Sequence, residues 1–80
     1  MFILSEYYLN SGYAESHSVL VFNDFNEAKR EFNRLAEETK EIFPCLGIDE
    51  TNAHWEDAMG GYPRVYDLAL IDVGGKFVAD

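Results

Sequence analysis

Cysteine is almost absent from this 80-residue sequence, and the single Cys45 cannot form an intrachain disulfide. Small secreted domains are commonly held together by several disulfides, so the sequence argues against that class and favours a reducing cytosol. Residues 1–9 lack the basic start and long apolar run of a signal peptide, and no run approaches membrane-spanning length. We therefore expect a single cytoplasmic domain, residues 1–80, with no membrane partner.

Recognisable catalytic and ligand-binding motifs are missing as well. The sequence contains no HExxH, CxxC or EF-hand pattern, and neither Gly-Gly pair opens a helix or precedes Lys-Ser/Thr as a phosphate loop would. Cys45 with His17 or His54 could serve as nucleophile and base, but no oxyanion loop adjoins the cysteine. A buried cysteine at a helix-to-loop junction is the simpler interpretation. The sequence predicts no enzyme and no cofactor.

A metal site also finds little support. His54 lies close to four acids, but their spacing matches no established site, and a solvated acidic loop explains them better.

Basic residues are scarce, and their distribution is uneven. The sequence has 6 Lys and Arg against 15 Asp and Glu, a net charge of -9. Within residues 24–43, four bases and six acids leave -2, whereas nine acids and two bases elsewhere leave -7. Phosphate groups would be repelled by most of this surface, so we expect no direct nucleic-acid binding and instead a basic protein partner.

Residues 24–43 form the one long periodic segment, and they predict an amphipathic helix. Asp24 suits the N-cap and Glu27 the third helical position of a capping box, while Pro44 ends the helix. The apolar stripe follows the three-and-four spacing of a helix face and consists of Phe25, Ala28, Phe32, Leu35, Ala36, Thr39, Ile42 and Phe43.

Apolar runs bounded by turn residues predict the strands. We expect strands at residues 2–9, 13–22 and 64–73, and a short edge strand at 76–79 after Gly74-Gly75. The second strand is polar in its first half and apolar at Val19, Leu20, Val21 and Phe22, so its C-terminal end should be the buried one. Residues 44–63 fit either a long loop with a helical turn or a short strand around residues 53–58.

These elements predict an α+β fold. The simplest arrangement is an antiparallel sheet of three to four strands, in β-β-α-β-β order, with the long helix packed on one face. The other face of the sheet then remains uncovered.

Hydrophobic content of 48% with six Phe and five Tyr indicates a folded globule rather than an acidic disordered tail. The polar aromatics fit two interpretations equally well: half-buried strand residues, or contacts of a protein interface. They are Tyr7, Tyr8, Tyr13, Trp55, Tyr62 and Tyr66.

The leading hypothesis is a non-enzymatic interaction module whose acidic, aromatic surface docks on a basic surface of a larger protein. The candidate partner-binding residues are Asp49, Glu50, Trp55, Glu56, Asp57, Tyr62, Tyr66, Asp67 and Asp72. In length, acidity and lack of catalytic residues the chain resembles the small phage or mobile-element inhibitors of the anti-CRISPR type. That resemblance implies an inhibitor whose carboxylates take the place of phosphates in a nucleic-acid-binding channel.

The alternative is a small structural or regulatory protein that self-associates, as a homodimer, through the open sheet face or the last edge strand. Its acidity would then serve solubility only.

Overall fold

A five-stranded antiparallel sheet with one helix on one face makes up the fold in the computed structural model, which describes residues 1–11, 14–57 and 63–73. The strands lie side by side in the order β2-β1-β5-β4-β3. The elements are β1 (Phe2–Asn10), β2 (Ala14–Phe22), α1 (Phe25–Ile42), β3 (Gly47–Ile48), β4 (Asn52–Asp57) and β5 (Arg64–Asp72).

The α+β prediction, with an antiparallel sheet and one long helix, is confirmed. The described residues form five strands rather than three to four, because the stretch 44–63 contributes both β3 and β4. Strand β4 lies at residues 52–57, close to the short strand that was one of two possibilities for this stretch. The predicted edge strand at residues 76–79 lies outside the described residues.

Helix α1 begins and ends where the sequence indicates. The Asp24 side chain accepts a hydrogen bond from the backbone N–H of Glu27 at 3.1 Å, which satisfies one of the free donors of the first turn. The C-cap is Phe43, whose backbone N–H donates to the carbonyl of Thr39, and Pro44 follows. No helix among the described residues is long and apolar enough to cross a membrane.

The core lies between α1 and the middle strands β1 and β5. Helix residues Ala28, Phe32 and Ala36 are buried there, but two residues of the predicted stripe are not: Phe25 is 45% exposed and Ile42 is 70% exposed. They lie in the first and last turns, at the margins of the sheet. The buried apolar residues are Leu4, Ala28, Phe32, Ala36, Leu46, Ala53, Tyr66, Leu68 and Leu70.

The prediction that the C-terminal end of β2 is buried is wrong for three of its four apolar residues, and only Phe22 packs against the core. Val19, Leu20 and Val21 are 51%, 45% and 59% exposed. Side chains alternate between the two faces of a strand, so a run of four apolar residues cannot all point at one helix, and β2 is also an edge strand.

Cys45 is exposed as well, where the sequence suggested a buried position. It follows Pro44 in the turn after α1, and the next residue, Leu46, is the one that enters the core.

Candidate functional site

The face of the sheet that points away from α1 is here called the open face. Leu4, Ala53, Tyr66 and Leu68 are buried on the helix side, and strand side chains alternate, so their neighbours along each strand belong to the open face. Its described members are Ile3, Ser5, Tyr7, Leu9, Glu15, His17, Val19, Val21, Asn52, His54, Glu56, Val65, Asp67, Ala69 and Ile71.

A row of polar side chains crosses the open face over four neighbouring strands. Tyr7 of β1 pairs with His17 of β2 on one side and with Asp67 of β5 on the other. Asp67 in turn pairs with His54 of β4. Side chains at directly opposed positions lie about 5 Å apart, so the strand register brings together four groups that are distant in sequence.

On the β2 side of this row, each polar group has a partner. The Oγ atom of Ser5 lies 2.9 Å from Nε2 of His17, and the Tyr7 hydroxyl donates to Oε2 of Glu15 at 2.7 Å. The rings of Tyr7 and His17 meet edge to face, with centroids 5.9 Å apart. The hydrogen bond to the Glu15 carboxylate raises the pKa of Tyr7 above its ordinary value.

On the β4 side, His54 lies between two carboxylates. Its Nδ1 atom is 2.8 Å from Oδ1 of Asp67, and its Nε2 atom is 3.8 Å from Oε2 of Glu56. The hydrogen bond to Asp67 and the charges of both carboxylates raise the pKa of His54, while partial burial opposes them. The two carboxylates therefore favour the protonated form of His54 and hold its ring in position.

Positive charge is confined to one side of the sheet. The open face carries Glu15, Glu56 and Asp67 and, among the described residues, no lysine or arginine. Of the five described lysines and arginines, four lie on α1 and the fifth, Arg64, lies on the helix side of β5 over the ring of Trp55. The open face is therefore an acidic surface that contains no fixed positive charge in the described strands.

The other end of the open face is aliphatic. Ile3 pairs with Val21 and with Ile71, which places three branched side chains in one row. Val21 and Ile71 are 59% and 44% exposed. An acidic patch thus adjoins an apolar strip on one continuous surface.

The structure divides the predicted partner-binding residues between the two sides of the sheet. Only Glu56 and Asp67 belong to the open face, whereas Trp55, Asp57, Tyr66 and Asp72 lie on the helix side by their register. Asp49 and Glu50 lie in the β3–β4 turn, where Lys29 of the helix donates to the Glu50 carbonyl. Tyr62 lies outside the described residues.

The helix-side residues have structural partners. Trp55 stacks on Phe43 with ring centroids 4.0 Å apart. The guanidinium of Arg64 lies over the Trp55 ring and binds the Asp57 carboxylate at 2.7 Å. Tyr66 is 4% exposed. These aromatics therefore hold the C-terminal end of the helix against β4 and β5, which favours the structural interpretation for Trp55 and Tyr66.

A cavity of about 380 Å³ opens on the helix side, between the last turn of α1 and the strands β1, β2 and β5. Inside it the Tyr66 hydroxyl donates to Oε2 of Glu6 at 2.6 Å and accepts from Oγ1 of Thr39 at 3.2 Å. Burial, and then the hydrogen bond to Glu6, raise the pKa of Tyr66 well above its ordinary value. The cavity is lined by Glu6, Tyr8, Ser16, Thr39, Ile42, Phe43 and Tyr66.

Metal ligands are not assembled in the part of the chain that the structure describes. No group of three or more His, Cys, Asp or Glu side chains there could hold a metal ion. Of the acids near His54 in sequence, only Glu56 approaches its ring, and Asp49 and Glu50 belong to a separate turn.

Sequence reasoning missed Tyr7, Glu15 and His17 as members of the acidic surface. Alternation along the two strands places the three on one face once the register of the β1–β2 hairpin is known.

Searches against protein-family models, curated proteins and solved structures gave no match to this chain.

Proposed function

We propose that this chain is a protein-binding module without enzymatic activity, and that its open face docks on a basic surface of a larger protein. The observation that supports the proposal is the uncompensated negative charge of this face: Glu15, Glu56 and Asp67 share it, and the described strands place no lysine or arginine on it. Complementary charge steers association and selects the partner. The single cysteine supports placing the interaction in the cytosol.

The exposed aliphatic residues of the open face supply apolar area that can be buried on binding. Protein interfaces combine an apolar core with a polar rim, and Val19, Val21 and Ile71 are exposed on the same face as the carboxylates. Removing each such side chain from water on binding contributes about 25 cal/mol per Å² of apolar area. The open face thus offers both a charged region for recognition and an apolar region for affinity.

More specifically, the basic surface of the partner would be a channel that binds nucleic acid. Glu15 and Glu56 lie at the two ends of one row that also contains Leu9 and Val65. Three strand spacings separate them, roughly 14 Å, and Asp67 lies in the next row. Carboxylates held on a rigid sheet would compete with phosphates for lysine and arginine, as expected for an inhibitor of the anti-CRISPR type.

The test is affinity capture from a lysate of the organism that encodes the chain, followed by mass spectrometry. The test variant combines Glu15→Gln, Glu56→Gln and Asp67→Asn. The matched control combines Glu37→Gln, Glu38→Gln and Glu41→Gln on the exposed face of α1, which changes the net charge equally. We expect one basic protein to be captured by the wild type and the control and lost by the test variant.

Ionic strength gives a second readout on the captured protein once it is purified. Its affinity for the wild type should fall steeply as salt screens the carboxylates. A partner that binds all three forms equally, or binds independently of salt, would show that the acidic face is not the docking surface. Competition by DNA or RNA for the same partner tests the more specific form.

The outer edge of β2 favours one alternative, self-association. Strand β2 is a nine-residue edge strand, and among the described residues no strand pairs with its outer side. It contains no proline, lysine or arginine, the residues that commonly protect such edges. A dimer in sedimentation that dissociates in Ser18→Lys supports this alternative, whereas a monomer at all concentrations excludes it.

A further inference from the structure

The cavity on the helix side exists because α1 ends before the β1–β2 hairpin does. The last helical residue is Ile42, and Pro44 turns the chain away, while β1 and β2 continue beneath. Ser16, opposite Tyr8 in the hairpin, is too small to fill the space that the helix leaves. The resulting volume of about 380 Å³ lies within the range of small-molecule sites.

One carboxylate faces this largely apolar cavity. Glu6 is fixed by the Tyr66 hydroxyl, which donates to Oε2 at 2.6 Å and is itself held by Thr39. A carboxylate accepts about four hydrogen bonds, so Glu6 retains acceptor capacity toward the cavity. The described lining residues include no lysine, arginine or histidine that could neutralise it.

Two aromatic rings form a wall of the cavity near this carboxylate. The rings of Tyr8 and Phe43 lie nearly parallel, with centroids 6.1 Å apart, and Phe43 is held in turn by its stacking on Trp55. The face of an aromatic ring is electronegative and attracts cations, while its carbon atoms pack against apolar groups. Ile42, at the rim, adds an exposed aliphatic surface.

We propose that this cavity binds a small organic amine, with the protonated nitrogen at Glu6 and its aromatic or alkyl stem packed against Tyr8, Phe43 and Ile42. A preformed carboxylate, aromatic walls and an apolar rim together select a cation that carries an apolar body. An anion would be repelled, and a neutral apolar molecule would leave the acceptor capacity of Glu6 unused. The site lies on the opposite side of the sheet from the open face and is independent of the function proposed for that face.

The experiment is an NMR titration of the full chain with phenethylamine, and with 2-phenylethanol as a neutral analogue of the same shape. We expect the amine to bind at least about tenfold more tightly, because the alcohol offers Glu6 a neutral donor in place of the charged ammonium. The shifted amide resonances should be those of Glu6, Tyr8, Thr39 and Phe43. Equal binding of the alcohol, shifts confined to the open face, or no binding of the amine at millimolar concentration would overturn the assignment.

Variants separate the carboxylate from the cavity itself. Glu6→Gln should weaken amine binding about tenfold or more and change alcohol binding much less, because an amide oxygen still accepts from a hydroxyl. Glu37→Gln on the exposed face of α1 should change neither. Ser16→Tyr, on the exposed edge strand, should fill the cavity and abolish binding with Glu6 intact. Unchanged binding in Glu6→Gln or in Ser16→Tyr would contradict the proposal, as would tighter binding of a lysine-containing peptide than of the free amine.

Discussion

The imidazole of His54 lies 2.8 Å from the carboxylate of Asp67, Nδ1 to Oδ1, across the pairing of β4 with β5. This contact raises the pKa of His54 above its ordinary value of 6.5. Replacement Asp67→Asn should therefore lower the pKa of His54, because the charged acceptor that favours the imidazolium is removed. An NMR titration of the imidazole protons measures the change. Glu41→Gln, which alters net charge equally but lies on the helix, should leave the pKa of His54 where it is.

The same contact makes stability depend on pH. The folded-state pKa of His54 is raised, so the pair stabilises the fold fully below pH 6.5 and the contribution is lost as pH rises through the folded value. Both side chains are 45% exposed, which limits the effect to under about 1 kcal/mol. Urea denaturation of wild type and Asp67→Asn should show a larger difference in unfolding free energy at pH 5.5 than at pH 8.5. An equal difference at both values would show that the ion pair does not contribute.

Phe32 is the largest fully buried side chain, at 0% exposure. Phe32→Ala should reduce the unfolding free energy by about 3–5 kcal/mol, because a cavity remains under the helix. That loss is a large part of the total stability of a small domain. Ile42→Ala, in the same predicted helix stripe but 70% exposed, should change stability by under about 0.5 kcal/mol. Denaturant titration of the two variants compares them directly, and similar losses would show that the helix is packed differently.

The Tyr66 hydroxyl links Thr39 of the helix to Glu6 of β1. Tyr66→Phe keeps the ring and removes both hydrogen bonds, so we expect a loss of about 1–2 kcal/mol of unfolding free energy. Tyr7→Phe removes an exposed hydroxyl bonded to Glu15 and serves as the matched control, with a smaller loss. Chemical denaturation at neutral pH measures both variants. A greater effect of Tyr7→Phe would contradict the buried network.

Asp24 caps the first turn of α1 through its carboxylate. Asp24→Ala should reduce the unfolding free energy by about 1 kcal/mol, and Asp24→Ser should retain most of the stability because a hydroxyl can also cap. Asn23→Ala, one residue before the cap, is the control and should have little effect. Thermal unfolding followed by circular dichroism distinguishes them.

The helix and the long strands could be predicted because their determinants are local. Asp24, Pro44 and the apolar stripe between them define α1 without reference to the rest of the chain. Strand β4 was harder to predict, since its buried Ala53 carries little hydrophobic signal and only pairing with β5 explains its burial.

The composition of the candidate site depended on tertiary information. Trp55 and Glu56 are adjacent in sequence, but Trp55 stacks on Phe43 at the edge of the core and Glu56 lies on the acidic open face. The acids could be counted from the sequence, whereas their division between two faces required the register of β4 on β5. The exposure of Val19 and Val21 likewise follows from the edge position of β2, which no local pattern specifies.

The central position of β5 has a consequence for how the chain folds. Strand β5 pairs along its whole length with β1, so Phe2 lies opposite Asp72. Strands β1 and β5, on which the helix packs, therefore come from opposite ends of the described chain. The helix has no complete surface to pack on until both strands are present. Topologies with such long-range pairing fold more slowly than those built from local contacts. On the ribosome, the apolar sides of the β1–β2 hairpin and α1 can cover each other only in part until residues 64–72 have emerged.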